Sequence, residues 1–210
     1  MSPLLIALLG VLLIPLFVAT WRTSLLGLSC QGLLIAWIAF RLEKPEMTLG
    51  TALTVLDLVV VRALAAPLAL YLVRSAQNPP RRNDVIPPNM LSWSLVLGLV
   101  LLAFRLAAVV VPQDGDQQTL VAVSSSGLLL GLMVLSTQLN VFSQIVAVVR
   151  MENAIALFEL GDQHHDVSPL VRVGQIAVLI ISVLLYRWYL STLNVEGSPS
   201  APPSPEAPAL

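Results

Sequence analysis

Leu91-Ser-Trp-Ser-Leu-Val-Leu-Gly-Leu-Val-Leu-Leu-Ala-Phe-Arg-Leu-Ala-Ala-Val-Val-Val111 carries one charged residue, Arg105, in its 21 positions. A helix of this length rises roughly 30 Å, the thickness of a bilayer's hydrocarbon core. A helix apolar on every side is either buried in a large core or surrounded by lipid. With so few charged groups along the chain, no soluble surface can be built around it, which favours lipid. Composition agrees: apolar residues make up 57% and charged residues 11%, against about 25% charge in a soluble domain. The mean hydropathy is +0.86.

The same pattern recurs on both sides of this stretch. Spans are predicted at 4–20, 24–40, 51–73, 91–111, 120–139, 141–160 and 170–193. At about 20 residues each they use about 140 residues and leave about 70 for loops and ends. The fold class is therefore all-α, a polytopic membrane protein of about seven transmembrane helices. Residues 1–74 form the first three helices, 75–90 a Pro-rich loop, 91–119 the fourth helix and a polar turn, and 120–194 a three-helix module. The tail 195–210, rich in Pro with Ser and Ala, reads as disordered.

The first span has no charged segment before it, and the first basic residue, Arg22, follows it. That order predicts a permanent span and not a cleaved signal. Pro15 is expected to bend it. If the spans alternate, Arg22, Arg74, Arg81, Arg82 and Arg187 share one side, with Arg41, Lys44 and Arg172 on the other. Basic loops stay in the cytoplasm. The N-terminus is expected outside and the C-terminus in the cytoplasm, with Asp114, Asp116, Asp162 and Asp166 outside. The expected location is a bacterial plasma (inner) membrane, with lipid as surroundings.

A net charge of −1 leaves no electrostatic footprint for nucleic acid. One cysteine, Cys30, excludes an internal disulfide, a Cys-x-x-Cys metal site and a self-contained iron–sulfur cluster. No Gly-rich phosphate loop is present. His164 and His165 between Asp162 and Asp166 read as a solvated loop, since adjacent His residues without a third fixed ligand seldom hold a metal. No cofactor and no metal are expected, and any electron carriers belong to other subunits.

Charged groups inside the spans are the informative ones, at about 2.5–3.5 kcal/mol each on insertion scales. Several lie deep within them: Asp57, Arg62, Arg105, Arg150 and Glu152. Arg62 is near mid-span, too deep to snorkel easily, and needs a carboxylate or water. Asp57 is five residues earlier, about 140° around an α-helix, so the two are not expected to face one another. A partner on another helix, such as Glu152, is expected instead. Asn153 beside Glu152 is expected to hold a water. Glu159, seven residues on, shares the face of Glu152, and the two suggest a proton ladder. A carboxyl between desolvation and a guanidinium can exchange protons near neutral pH. Static inter-helix ion pairs are the alternative for all of these groups.

The stretch Ser136-Thr-Gln-Leu-Asn-Val-Phe-Ser-Gln-Ile-Val-Ala-Val-Val-Arg-Met-Glu-Asn153 resembles the E-type membrane subunit of hydrogenase-4 and formate hydrogenlyase complexes. That family shows a polar break, an Asn, an apolar span and then Met-Glu-Asn. Arg62 followed by Pro67 matches the family's membrane-embedded Lys and Pro. Trp21-Arg22 with Cys30-Gln31 downstream is a third match, and the ordered set runs from about Trp21 to Arg187. The resemblance implies that the last three helices are similar to the K-type subunit of respiratory complex I and the C-type subunit of multisubunit cation/proton antiporters. It adds to the reading of the buried charges above, which together give an expected proton path of Glu152, Arg62, Asp57, Arg150, Arg105 and Glu159, with Glu152 standing about one helical turn from where the K-type subunit's first glutamate would fall. It also implies antiporter-like membrane subunits and a redox module as partners. The family tends to carry an acidic residue in its last span. Here Gly174 or Gln175 stands there, and no carboxylate lies between Val171 and Leu193.

The expected function is that of a membrane subunit of a hydrogenase-like or complex-I-like proton-translocating oxidoreductase, with no active site of its own. A structural scaffold and a subunit of a multisubunit antiporter stay open. An autonomous transporter ranks below them, because no inverted repeat or paired broken helices are evident.

Overall fold

The computed structural model describes residues 2–17, 20–42, 49–77, 90–111, 115–161 and 168–196, and every regular element among them is helical. In chain order these are α1 (Ser2–Phe17), α2 (Trp21–Leu42), α3 (49–76), α4 (Met90–Val110), α5 (Gly115–Thr137), α6 (Val141–Gly161) and α7 (Pro169–Glu196). The Arg81-Arg82 loop, Lys44, Asp114, the His164-His165 loop and the tail from Gly197 lie outside the described residues. Six helices, α2 to α7, are long and apolar enough to cross a membrane. At 16 residues, α1 is shorter than these.

Local chemistry sets the helix starts. Thr20 Oγ1 accepts the Thr23 N–H at 3.3 Å, Asn140 Oδ1 the Phe142 N–H at 2.9 Å, and Ser168 Oγ the Val171 N–H at 3.5 Å. Each is an N-cap that satisfies a donor the helix cannot. Pro169 follows the last cap at the first helical position, where its missing N–H costs nothing. The fifth helix begins at Gly115, five residues before the predicted span. The polar turn expected before residue 120 is therefore shorter: Asp116 sits in the first helical turn, where a carboxylate favours the helix dipole.

The bundle has two rows. In one, α1, α2, α3 and α7 lie side by side; in the other are α4, α5 and α6. The first row rests on the second through α1 on α5 and α2 on α6. The stripe Leu5, Leu8, Leu12 and Leu16 of α1, at helical spacing, joins Ile35 and Ile38 of α2 and Val123 and Leu130 of α5 in one core cluster. The other cluster gathers Leu25 and Leu28 of α2, Val61 and Leu70 of α3, Phe142 and Ile145 of α6, and Leu179 and Val183 of α7.

Small residues permit the closest approaches. A Cβ on Gly32 would stand 2.9 Å from the Ala63 backbone, and one on Gly127 2.8 Å from Ala154 Cβ. One on Gly131 would collide with Met151 Cγ. Gly127 and Gly131 meet α6 in this way, and Ser124 and Ser126 earlier in α5 are fully buried, so small residues let α5 pack closely on its neighbours.

The middle of α3 departs from α geometry. Residues Leu49–Val55 and Ala66–Ala76 are α-helical, but Leu56–Ala65 form a π-helix, closed by the Ala66 N–H bonding to the Val61 carbonyl. Pro67 follows directly. It lacks an N–H, and its ring crowds the carbonyl four residues back, a clash that a wider preceding turn relieves.

Candidate functional site

Three mid-helix points meet at one level. Gln31-Gly32 of α2 lies against Ala63 of α3 through the glycine contact and against Arg150 of α6 through a hydrogen bond. Arg62, next to Ala63, reaches Glu152 and Asn153 of α6. The polar side chains at this crossing form a buried node.

Arg62 is its centre, with 7% of the residue exposed. Its Nε donates to Asp57 Oδ2 at 2.8 Å, in an ion pair whose side chains are 9% and 14% exposed. The two groups face one another after all. In the π-helix, i→i+5 bonding brings residues five apart onto nearly one face, whereas the 140° separation holds for an α-helix. The expected partner on another helix is also present in a different form. Arg62 Nη1 donates to the Glu152 carbonyl at 3.0 Å and to Asn153 Oδ1 at 3.4 Å. Arg62 thus holds α6 by its backbone and Asn153. The Glu152 carboxylate is half-buried nearby and interacts electrostatically with Arg62, Asp57 and Tyr186 of α7. Asn153, expected to hold a water, is fully buried and bonds Arg62 itself.

Arg150 is equally buried, at 7% exposure, and takes a different direction. Its Nη2 donates to the Ser24 carbonyl of α2 at 3.2 Å, while its own carbonyl accepts from Gln31 Nε2 at 3.3 Å. No carboxylate pairs with it among the described residues. Gln31 is 2% exposed, and sequence reading gave it no role in the site. Its signal was a lone amide inside an apolar span. Three buried atoms at the node have no hydrogen-bond partner among the described residues: Asp57 Oδ1, Asn153 Nδ2 and Gln31 Oε1.

The remaining candidates lie elsewhere. Glu159 is exposed, about 10 Å along α6 from Glu152 by helical rise. Its Oε1 accepts from Gln175 Nε2 of α7 at 3.0 Å. Arg105 is exposed on α4, a helix packed against α5 and away from the node. Among the described residues no group of three or more His, Cys, Asp or Glu side chains could hold a metal ion. Cys30 is exposed.

The arrangement combines an anchored cation, a paired carboxylate, a second carboxyl that feels the charge of both, and amides with open hydrogen-bonding capacity. Such a set can hold a proton and pass it through water. No family model, curated protein or solved structure matches the chain.

Proposed function

We propose that the chain is a seven-span, non-catalytic subunit of a proton-translocating membrane assembly, of the hydrogenase-4 or complex-I-like kind that its sequence resembles. The observation that carries this reading is the node itself. Ionisable groups are costly at mid-membrane and persist there in ion and proton pathways. In this reading Glu152 is the proton-exchanging group, and Arg62 sets its charge balance through the pair with Asp57. The open positions on Asp57, Asn153 and Gln31 admit water to the same level. Arg150 marks the approach from the end of α2 at Ser24, and Glu159 with Gln175 the approach from the other end.

The seventh span in this reading is α1. Its 16 residues rise about 24 Å, a mismatch that local thinning of the bilayer accommodates. Arg22, Arg74 and Arg187 then lie on the cytoplasmic side, the N-terminus lies outside, and the location is a bacterial inner membrane. The partners are antiporter-like membrane subunits and a redox module. One feature favours a second reading, that of a static scaffold: α7 carries no carboxylate from Val171 to Leu193, so a path across the last helix has only Gln175, Tyr186 and water.

Glu152→Gln separates the two. In the intact complex, purified with its partners and reconstituted in vesicles, this variant is expected to lose most proton translocation while electron transfer in the redox arm stays near wild type. Unchanged translocation would leave only the scaffold. Isolation of the chain as a lone active transporter would overturn both.

A further inference from the structure

We propose that the groove between the C-terminal halves of α3 and α7 is a binding site for one anionic phospholipid. This goes beyond the proton-path reading and uses none of its residues. The groove has a volume of about 340 Å³ and is lined by Leu72, Val73, Ala76, Gln77, Arg187 and Ser191. Its two walls follow from helical spacing. Leu72 and Ala76 stand four residues apart on α3, and Arg187 and Ser191 four apart on α7, so each pair shares a face.

One wall is apolar and fits an acyl chain; the other offers a guanidinium and a hydroxyl. Gln77 closes the floor by donating from Nε2 to the Leu190 carbonyl at 2.8 Å, and it accepts from Arg74 Nη1 at 3.1 Å. Arg187 is exposed and has no hydrogen bond or ion pair among the described residues. Among the described residues no carboxylate lines the groove. Arg74 adds a second positive charge behind Gln77. A cation with unused N–H groups beside an acyl-sized trough is the chemistry of a phosphate headgroup, which a guanidinium can bind through two parallel hydrogen bonds. Trp188 and Tyr189, in the same helical turn and 63% and 46% exposed, are side-chain types that settle at headgroup level. Trp21 and Tyr71, with ring centroids 5.4 Å apart, bring α2 to the same end.

The test is native mass spectrometry of the full chain released from micelles containing phosphatidylglycerol or phosphatidylcholine in equal amounts. One phosphatidylglycerol is expected to stay bound under activation that strips phosphatidylcholine. Arg187→Gln is expected to weaken phosphatidylglycerol retention about fivefold, the factor one basic residue contributes at an anionic surface. Arg187→Lys should keep most of it, and Ser191→Leu, which fills the trough without changing charge, should reduce it. Arg22→Gln serves as a control: its guanidinium lies over Trp21, 5.3 Å from the ring centroid, outside the groove lining, so retention should stay within about twofold. Equal retention of the two lipids, a loss in Arg22→Gln matching that in Arg187→Gln, or an unaffected Ser191→Leu would each overturn the site. So would a protein subunit that cross-links at position 187 and displaces the lipid.

Discussion

Replacing Asp57 with Asn removes the charge opposite Arg62 while keeping its shape. Taking one partner from a buried pair costs roughly 3–5 kcal/mol in soluble proteins. Here Arg62 keeps the Glu152 carbonyl at 3.0 Å, Asn153 Oδ1 at 3.4 Å and the nearby Glu152 carboxylate. Single polar contacts in membranes average only about 0.6 kcal/mol, so these offset part of the loss and leave about 2 kcal/mol. Arg62→Gln is worse, at about 3 kcal/mol, because no other cation bonds Asp57 among the described residues. The double variant orphans no charge and is expected to cost about 2 kcal/mol, a coupling of about 3 kcal/mol, at the upper end for residues in contact. Reversible unfolding in mixed detergent micelles, followed by tryptophan fluorescence, measures all three. Additive single costs, or single costs below about 0.6 kcal/mol, would refute a buried Asp57–Arg62 lock.

Three further outcomes follow from the same packing. Arg150→Met is expected to change stability by no more than about 1 kcal/mol in the same assay, since it leaves no buried carboxylate behind and removes a desolvated guanidinium; Arg62→Met should cost several times more. Gly32→Ala forces α2 and α3 apart at the node and is expected to cost about 1–3 kcal/mol, whereas Gly98→Ala, with nothing within 4 Å, should stay within about 0.5 kcal/mol of wild type. Gln175→Leu removes the hydrogen bond from α7 to Glu159 on an exposed face and should cost less than about 1 kcal/mol. Glu159→Leu in the same assay should cost no more.

The helix pattern was legible because a bilayer demands long apolar runs, and the caps at Thr20, Asn140 and Ser168 lie at polar residues visible in the chain. The buried charges were legible for the same reason, since polar groups stand out against Leu and Val. Their pairing was not. Projection at 100° per residue assumes one hydrogen-bond register along the whole span, and Leu56–Ala65 departs from it with no distinctive composition. The nearest signals were Asp57 and Arg62 at a spacing of five, with Pro67 just beyond. Gln31 was obscure for another reason: an amide in an apolar run shows no partner until α2 is laid beside α6.

The change of register in α3 also divides the labour along that helix. Its central stretch turns chiefly to α2, while its two α-helical ends grip α7, which barely touches α6. The last helix is therefore clipped on at top and bottom and bridged loosely across the waist, where the ion pair sits behind it. A neighbouring protein that pried α7 outward would first break contacts at the two clips, leaving Arg62 anchored to α6 and Asp57. Displacement of that outer stave would open a route to the charged interior without dismantling it.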